Sequence, residues 1–442
     1  MTLTIRTIPD AIHTAFNPVI YEVSTNRTTS VTKTIASIAA YGGKLKITTT
    51  TAHTLTAGDV VSITGITGLA SGTRSLVTLV DTTNFVCDSI TWSSSFVNTG
   101  GQVVKDNRNV IVRAQVYYGG SLIATHYTRS ETSNGSYLVY RFDLSGVLSD
   151  YLDNNAGLGV DLADSPGFAL SAYSVNPSRA STTYYVTFAE FYDDPDGLLV
   201  MGGTLTAADR RAVNMVLQPD QDIDDYICTA SSVGHLLTPL STFFLRDGDK
   251  VTLQCLTTET SVGVKLTSYS TSGTPFTTYG TKVTVYNNRI QTTVDLVGLG
   301  ETQTKWEVAF YVGTSTVISD TVTFYRLKKS VRLSGKVQWR NLLGGVDTLH
   351  VLDYSNDSDN DSEALVTTSG GIVVWAVKND RSITMTVTGT PNQLAGYEQL
   401  LTSRFIWFNG SRCNLVNRSQ TTQSREYITW QLKFKVASLK LN

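Results

Sequence analysis

The chain has 442 residues, 41% of them hydrophobic, only 16% charged, with a formal net charge of −2. That length allows two to four domains, each with its own core. The near-neutral balance gives no general pull toward nucleic acid or anionic membranes, and the low charge suits a protein that covers much of its surface with neighbours.

Thr, Val, Tyr and Phe recur along the whole chain, and 34 glycines outnumber 9 prolines. β-Branched and aromatic residues suit a pleated, half-buried surface, so the composition predicts an all-β fold with minor α structure. The N-terminus, Met1 to Arg6, lacks a charged region followed by an apolar run, and no apolar stretch is long enough to span a bilayer. The expectation is a chain made in a cytoplasm, with no membrane span.

In chain order, Asn17-Pro18 opens an extended run through Val23. A small module is expected over 41–104, with short strands around Leu45–Thr48, Val60–Thr64, Ser75–Val80 and Phe85–Val86. Gly and Asp turns separate them, the pattern of a small barrel or meander. A longer strand resumes at Val110–Tyr117, turned back by Gly119-Gly120 as a hairpin. The module therefore reads as an insertion in a loop of an N-terminal β-sandwich, 1–200, since surface loops accept insertions at low entropic cost. A short helix is expected at Gly146–Leu152.

Asp193-Asp194-Pro195-Asp196-Gly197 is turn chemistry, and the first boundary is placed after it. A weak helix start is read at Thr206 with Asp209 as capping partner. The middle β-sandwich is expected over 201–330. The last domain, 331–442, is expected to be β-rich and to carry one helix near 391–404, where Leu394, Tyr397, Leu400 and Leu401 share a stripe behind Pro391. The architecture is thus tandem β-sandwich domains with an inserted barrel-like module.

Chemical constellations are sparse. The five histidines, His13, His53, His126, His235 and His350, are scattered, and no Gly-x-Ser-x-Gly turn is present. His53 reads as a surface residue before a turn. Asp357, Asp359, Asp361 and Glu363 begin like a calcium loop, but Ser362 stands where Gly is needed and Thr368 where the bidentate Glu is needed, so a solvated acidic loop is expected. Asp220 to Asp225 reads as a charged edge strand that resists unwanted pairing. Arg326 to Arg340 is the densest basic run but matches no nucleic-acid motif, so no specific nucleic-acid binding is expected. The four cysteines, Cys87, Cys228, Cys255 and Cys413, lack metal-ligand spacing and read as buried free thiols. Of six tryptophans, most should be core, and Trp92 is the one expected exposed. No cofactor is implied.

The residues carry a resemblance. The pattern His53, Leu55, Gly58, Asp59, Val61, Ile63, Gly65, then Gly72, Val77, Val80, Asp81 and Phe85 resembles the short β repeats of phage tail and fibre proteins. The remaining chain resembles tail or baseplate-region proteins of phages infecting Bacteroidota. The matching pieces are Phe16–Tyr21, Tyr140–Ser145 with Leu148 and Tyr151, Phe188–Tyr192, Trp339-Arg340-Asn341 with Gly344–Asp347, and Leu400, Leu401 and Ser403. The Leu342-Leu343 pair departs from the more polar or aromatic pair usual there.

The resemblance implies a non-enzymatic virion structural protein of the tail, baseplate or neck region, assembling as a cyclic homo-oligomer and docking to other virion proteins. Trp339, Asn341, Asp347, Tyr397 and Trp92 are the interaction candidates. The other readings are an adhesin or tail spike that binds host-surface glycan, and a capsid decoration protein.

Overall fold

The computed structural model describes residues 3–129, 132–133, 138–155, 172–174, 181–245, 249–285, 288–295, 303–327, 335–351, 354–366, 372–389, 397–403, 405–422 and 428–436. The fold is predominantly β and divides into two compact units. The first comprises 1–13, 18–148 and 183–212; the second comprises 14–17, 149–182 and 213–442.

In the first unit, one sheet pairs Leu3–Thr7 with Ile20–Thr25 and that strand with Leu138–Asp143. A second sheet sets Arg108–Tyr118 between Ser121–Thr128 and Ser181–Asp193. Alternation puts Tyr21, Phe142 and Phe188 inward, and the ring of Phe188 packs 5.7 Å from each of the other two, closing a sandwich. The Gly119-Gly120 hairpin forms as expected: both glycines have positive φ and Tyr118 pairs Ser121, the two-residue turn that matches strand twist.

The inserted module is a closed six-stranded barrel. It starts at Thr32, earlier than the sequence expectation of 41. The strand Thr32–Tyr41 closes the barrel by pairing with both Lys44–Thr49 and Val97–Lys105. The Gly42-Gly43 turn is a hairpin inside it. Leu45, Ile47, Val61, Ile63, Val77, Phe85 and Val103 fill the interior.

The Asp193–Gly197 turn is likewise a hairpin, joining Ser181–Asp193 to Leu199–Thr206 within one sheet, so the chain does not leave the first unit there. Asp194 Oδ1 accepts from the backbone N–H groups of Asp196 and Leu198. No helix forms at Thr206: that residue ends a strand and Arg210–Val213 begins another. The ladder with Thr187 outcompetes a lone capping box that has no apolar stripe to bury.

In the second unit, Arg289–Asp295 and Lys250–Thr257 form the centre of one sheet. Opposite lies a sheet ordered Thr242–Leu245, Val322–Arg326, Gln303–Val312, Ser261–Ser270, Pro275–Tyr279. Leu253, Cys255, Ile290, Trp306, Phe310 and Phe324 pack between them. The C-terminal segment forms one seven-stranded sheet. Its buried face holds Trp339, Met385, Ile406, Trp430 and Phe434, with Leu400 packed on it. The expected 201–330 and 331–442 domains thus contribute, from Val213 onward, to the same compact unit.

The helix expected at 146–152 is present as Ser145–Asn155. Of the helix expected at 391–404, one short stretch, Glu398–Thr402, is described, and 390–396 lie outside the described residues. The acidic segment at 357–363 is no loop. It lies on the strand Tyr354–Val366, in register with Ile372–Gly389. The Asp220–Asp225 stretch is no edge strand: Asp222 caps a short 3-10 turn, Ile223–Tyr226, by accepting from Asp224 N–H, as Asx side chains commonly do.

Candidate functional site

Trp339–Asp347 is the tip of a hairpin in which Trp339 pairs Asp347. Asn341 organises the turn: its Oδ1 accepts from Gly345 N–H at 2.9 Å, and its backbone N–H donates to Gly345 O. Asn341 Nδ2 then donates to Leu237 O and to Asp347 Oδ2, each at 2.9 Å. The other carboxylate oxygen, Oδ1, accepts from Thr238 Oγ1 at 2.5 Å. Arg289 Nη2 donates to Gly344 O and, at 2.6 Å, to Gln254 Oε1.

The double glycine is required by close approach. A Cβ at Gly344 would overlap the carbonyl oxygen of Asn214, and one at Gly345 that of Leu237. From the other side, Gln399 Oε1 accepts from Leu342 N–H, Ser403 Oγ donates to Arg340 O, and the Tyr397 ring sits edge-on to Trp339 at 5.9 Å. The turn and the short helix, far apart in sequence, form one seam against the middle sandwich.

This corrects the reading of Trp339, Asn341 and Asp347 as interaction residues. All three are buried, and Tyr397 is half-buried on the same core. They join two parts of one unit. Burial in the seam pushes the Asp347 carboxyl up to about 7, opposed by the hydrogen bonds from Thr238 and Asn341. The same burial raises the Tyr397 phenol.

Beside the seam lies an open cavity of about 320 Å³. Its polar lining includes Gln221, Tyr226, His235, Asp320 and Gln399. His235 Nδ1 lies 3.3 Å from Asp320 Oδ2, and Asp320 Oδ1 accepts from Leu236 N–H. His235 and Asp320 are both well exposed, and the hydroxyl that lines the cavity, Thr238 Oγ1, donates to Asp347 Oδ1.

In the first unit, the Gly58-Asp59 turn of the barrel has a structural task. Asp59, fully buried, accepts from Thr56 N–H and is paired with Arg27 and Lys105, each at 3.1 Å. Arg27 also holds Glu190 at 2.7 Å and donates to Gly58 O, which further accepts from Tyr192 Oη at 2.6 Å. Two cations and two carboxylates, all buried, therefore tie the barrel to the sandwich strand carrying Glu190.

His53 is buried rather than at the surface. Its Nδ1 accepts from Leu55 N–H, its ring meets Phe85 edge-on, and burial lowers its pKa. A turn residue becomes core here because the barrel end folds over it. Trp92 is half-buried, edge-on to Phe96 at 5.8 Å, and packs on the barrel core.

At Asp357–Glu363 the extended, laddered backbone does not form the curled loop of a calcium site. Among the described residues no group of three or more His, Cys, Asp or Glu is placed to hold a metal ion. All four cysteines are free and buried. No helix among the described residues is long and apolar enough to cross a membrane. Sequence reasoning missed Arg27, Glu190, Arg289 and Thr238, the buried partners of the two networks. Each finds its buried partner far away in sequence, so nothing local signals its burial.

No protein-family model matches the chain, and no curated protein matches it.

Proposed function

We propose that this chain is a structural protein of a tailed-phage virion, in the tail, baseplate or neck region. It assembles by self-association into a closed cyclic homo-oligomer and docks to other virion proteins, with no catalytic role. The observation that carries this reading is an exposed apolar cluster in the first unit. Leu198, Leu199 and Met201 are 66%, 55% and 58% exposed around one strand start. A chain with only 16% charged residues that leaves such side chains in water has surface to cover. The buried ionic joint of the barrel and the glycine-dependent seam support it as well, because both commit buried polar groups and close backbone contacts to holding strands in place.

The test has two arms. Purified particles are analysed for the chain, and the isolated protein is sized by light scattering at micromolar concentration. The expected result is a stoichiometric virion component and a discrete oligomer that Leu199→Ser/Met201→Ser shifts toward monomer. A chain that is monomeric and absent from purified particles would overturn the proposal.

A further inference from the structure

In the second unit, the sheet that runs from Thr242–Leu245 to Pro275–Tyr279 carries an ordered row of side chains on its outer face, contributed by separate strands. Strand register places Phe244 beside Tyr325, Tyr325 beside Lys305, and Lys305 beside Tyr269. Phe244 and Tyr325 are 50% and 38% exposed, with their rings stacked at 5.5 Å. Tyr269 lies two strand spacings from Tyr325, about 10 Å away. Lys305 Nζ sits 4.5 Å from the Tyr269 ring centroid.

Parallel to this row, one pleat along, runs a polar one: Thr323, Glu307, Thr267 and Thr277. Its groups are already oriented. Thr267 and Thr277 hydroxyls are 3.1 Å apart, and Glu307 accepts from Tyr269 Oη and pairs with Lys305, both at 2.6 Å. The next pleat brings Lys265 level with Tyr279.

We propose that this face binds an acidic saccharide chain. Sugar rings present a C–H face that stacks on aromatics and hydroxyl edges that need hydrogen-bond partners. The sheet offers the two side by side, in rows one pleat apart. A protein-docking patch would instead gather its apolar groups at a centre and keep charge to the rim. Here Lys305 and Glu307 lie in the middle. The charge of the face selects an acidic ligand: two lysines, Lys305 and Lys265, act on the one carboxylate of Glu307, so the face is positive on balance. The inference does not rest on the assembly reading, and either can fail alone.

The test is affinity electrophoresis of the full chain in native gels containing polygalacturonate or, separately, neutral dextran. Polygalacturonate is expected to retard the chain and dextran to leave it nearly unmoved. Phe244→Ala/Tyr325→Ala should weaken the retardation at least tenfold. Lys265→Gln should weaken it several-fold, and more at low salt than at high. Tyr127→Ala, an exposed aromatic of the other unit, should leave it unchanged. The truncated side chains are exposed, so an unchanged melting temperature verifies folding. No retardation by polygalacturonate, equal retardation by dextran, or an oligomer that dissociates in Phe244→Ala/Tyr325→Ala without saccharide would each overturn the proposal.

Discussion

Replacing Asp347 by Asn should change how stability depends on pH, with a sign set by the seam. Asp347 is 1% exposed, and its carboxyl is pushed up to about 7 in the fold against an ordinary value of 3.8. Because the folded value is raised, the acid form is the one the fold prefers. Well below pH 3.8 the group costs nothing. Between 3.8 and about 7 the unfolded chain ionises while the folded chain does not, and stability falls steadily. Above about 7 the full penalty applies. At about 1.36 kcal/mol per pH unit, the difference between 3.8 and about 7 amounts to at most about 4 kcal/mol.

The Asp347→Asn side chain carries no charge and escapes this penalty. Its carbonyl can still accept from Asn341 Nδ2, but its amide must face the Thr238 hydroxyl, which then loses its acceptor. That exchange costs about 1 kcal/mol at any pH. The variant should therefore be slightly less stable than the parent at pH 4, where the parent's penalty has barely begun, and more stable at pH 8. Urea unfolding at one-unit steps between those two values, followed by tryptophan fluorescence, measures the crossover. A stability difference that stays constant across that range would refute the placement of a neutral carboxyl in the seam.

Gly345→Ala drives a methyl group into Leu237 O and should destabilise the second unit by more than about 3 kcal/mol, visible as a lower urea midpoint and faster proteolysis between 213 and 442. Arg27→Met removes the shared partner of Asp59 and Glu190 and leaves carboxylates buried; about 3 to 5 kcal/mol should be lost, and a change below about 1 kcal/mol by calorimetry would contradict the buried joint. Burial pushes the Cys87 and Cys413 thiols up to about 12, and all four cysteines are buried. The native protein should therefore react with none of its thiols toward a disulfide reagent at mildly alkaline pH, and with four after denaturation.

Much of the fold is legible in the chain itself. Thr- and Val-rich alternation specifies strands, and Gly119-Gly120, Gly42-Gly43 and Asp194 to Gly197 specify turns, because these depend on residues a few positions apart. Alternation also specifies which residues of a strand share a face, so the inward set Leu45, Ile47, Val61 and Ile63 follows from it. What lies beyond local reach is which strands become neighbours. Asp347 is polar in a turn-like sequence, yet its partner Thr238 lies 109 residues earlier, and that pairing buries it. Arg27 and Glu190, 163 positions apart, meet in the same way. Phe244, Tyr325, Lys305 and Tyr269 are ordinary residues singly and form a row only through strand register. The first two cases share a physical reason, and the third follows from strand pairing alone. Backbone preference and hydrophobic period act over a few residues, whereas the cost of burying a polar group is decided by the distant chain that supplies its partner.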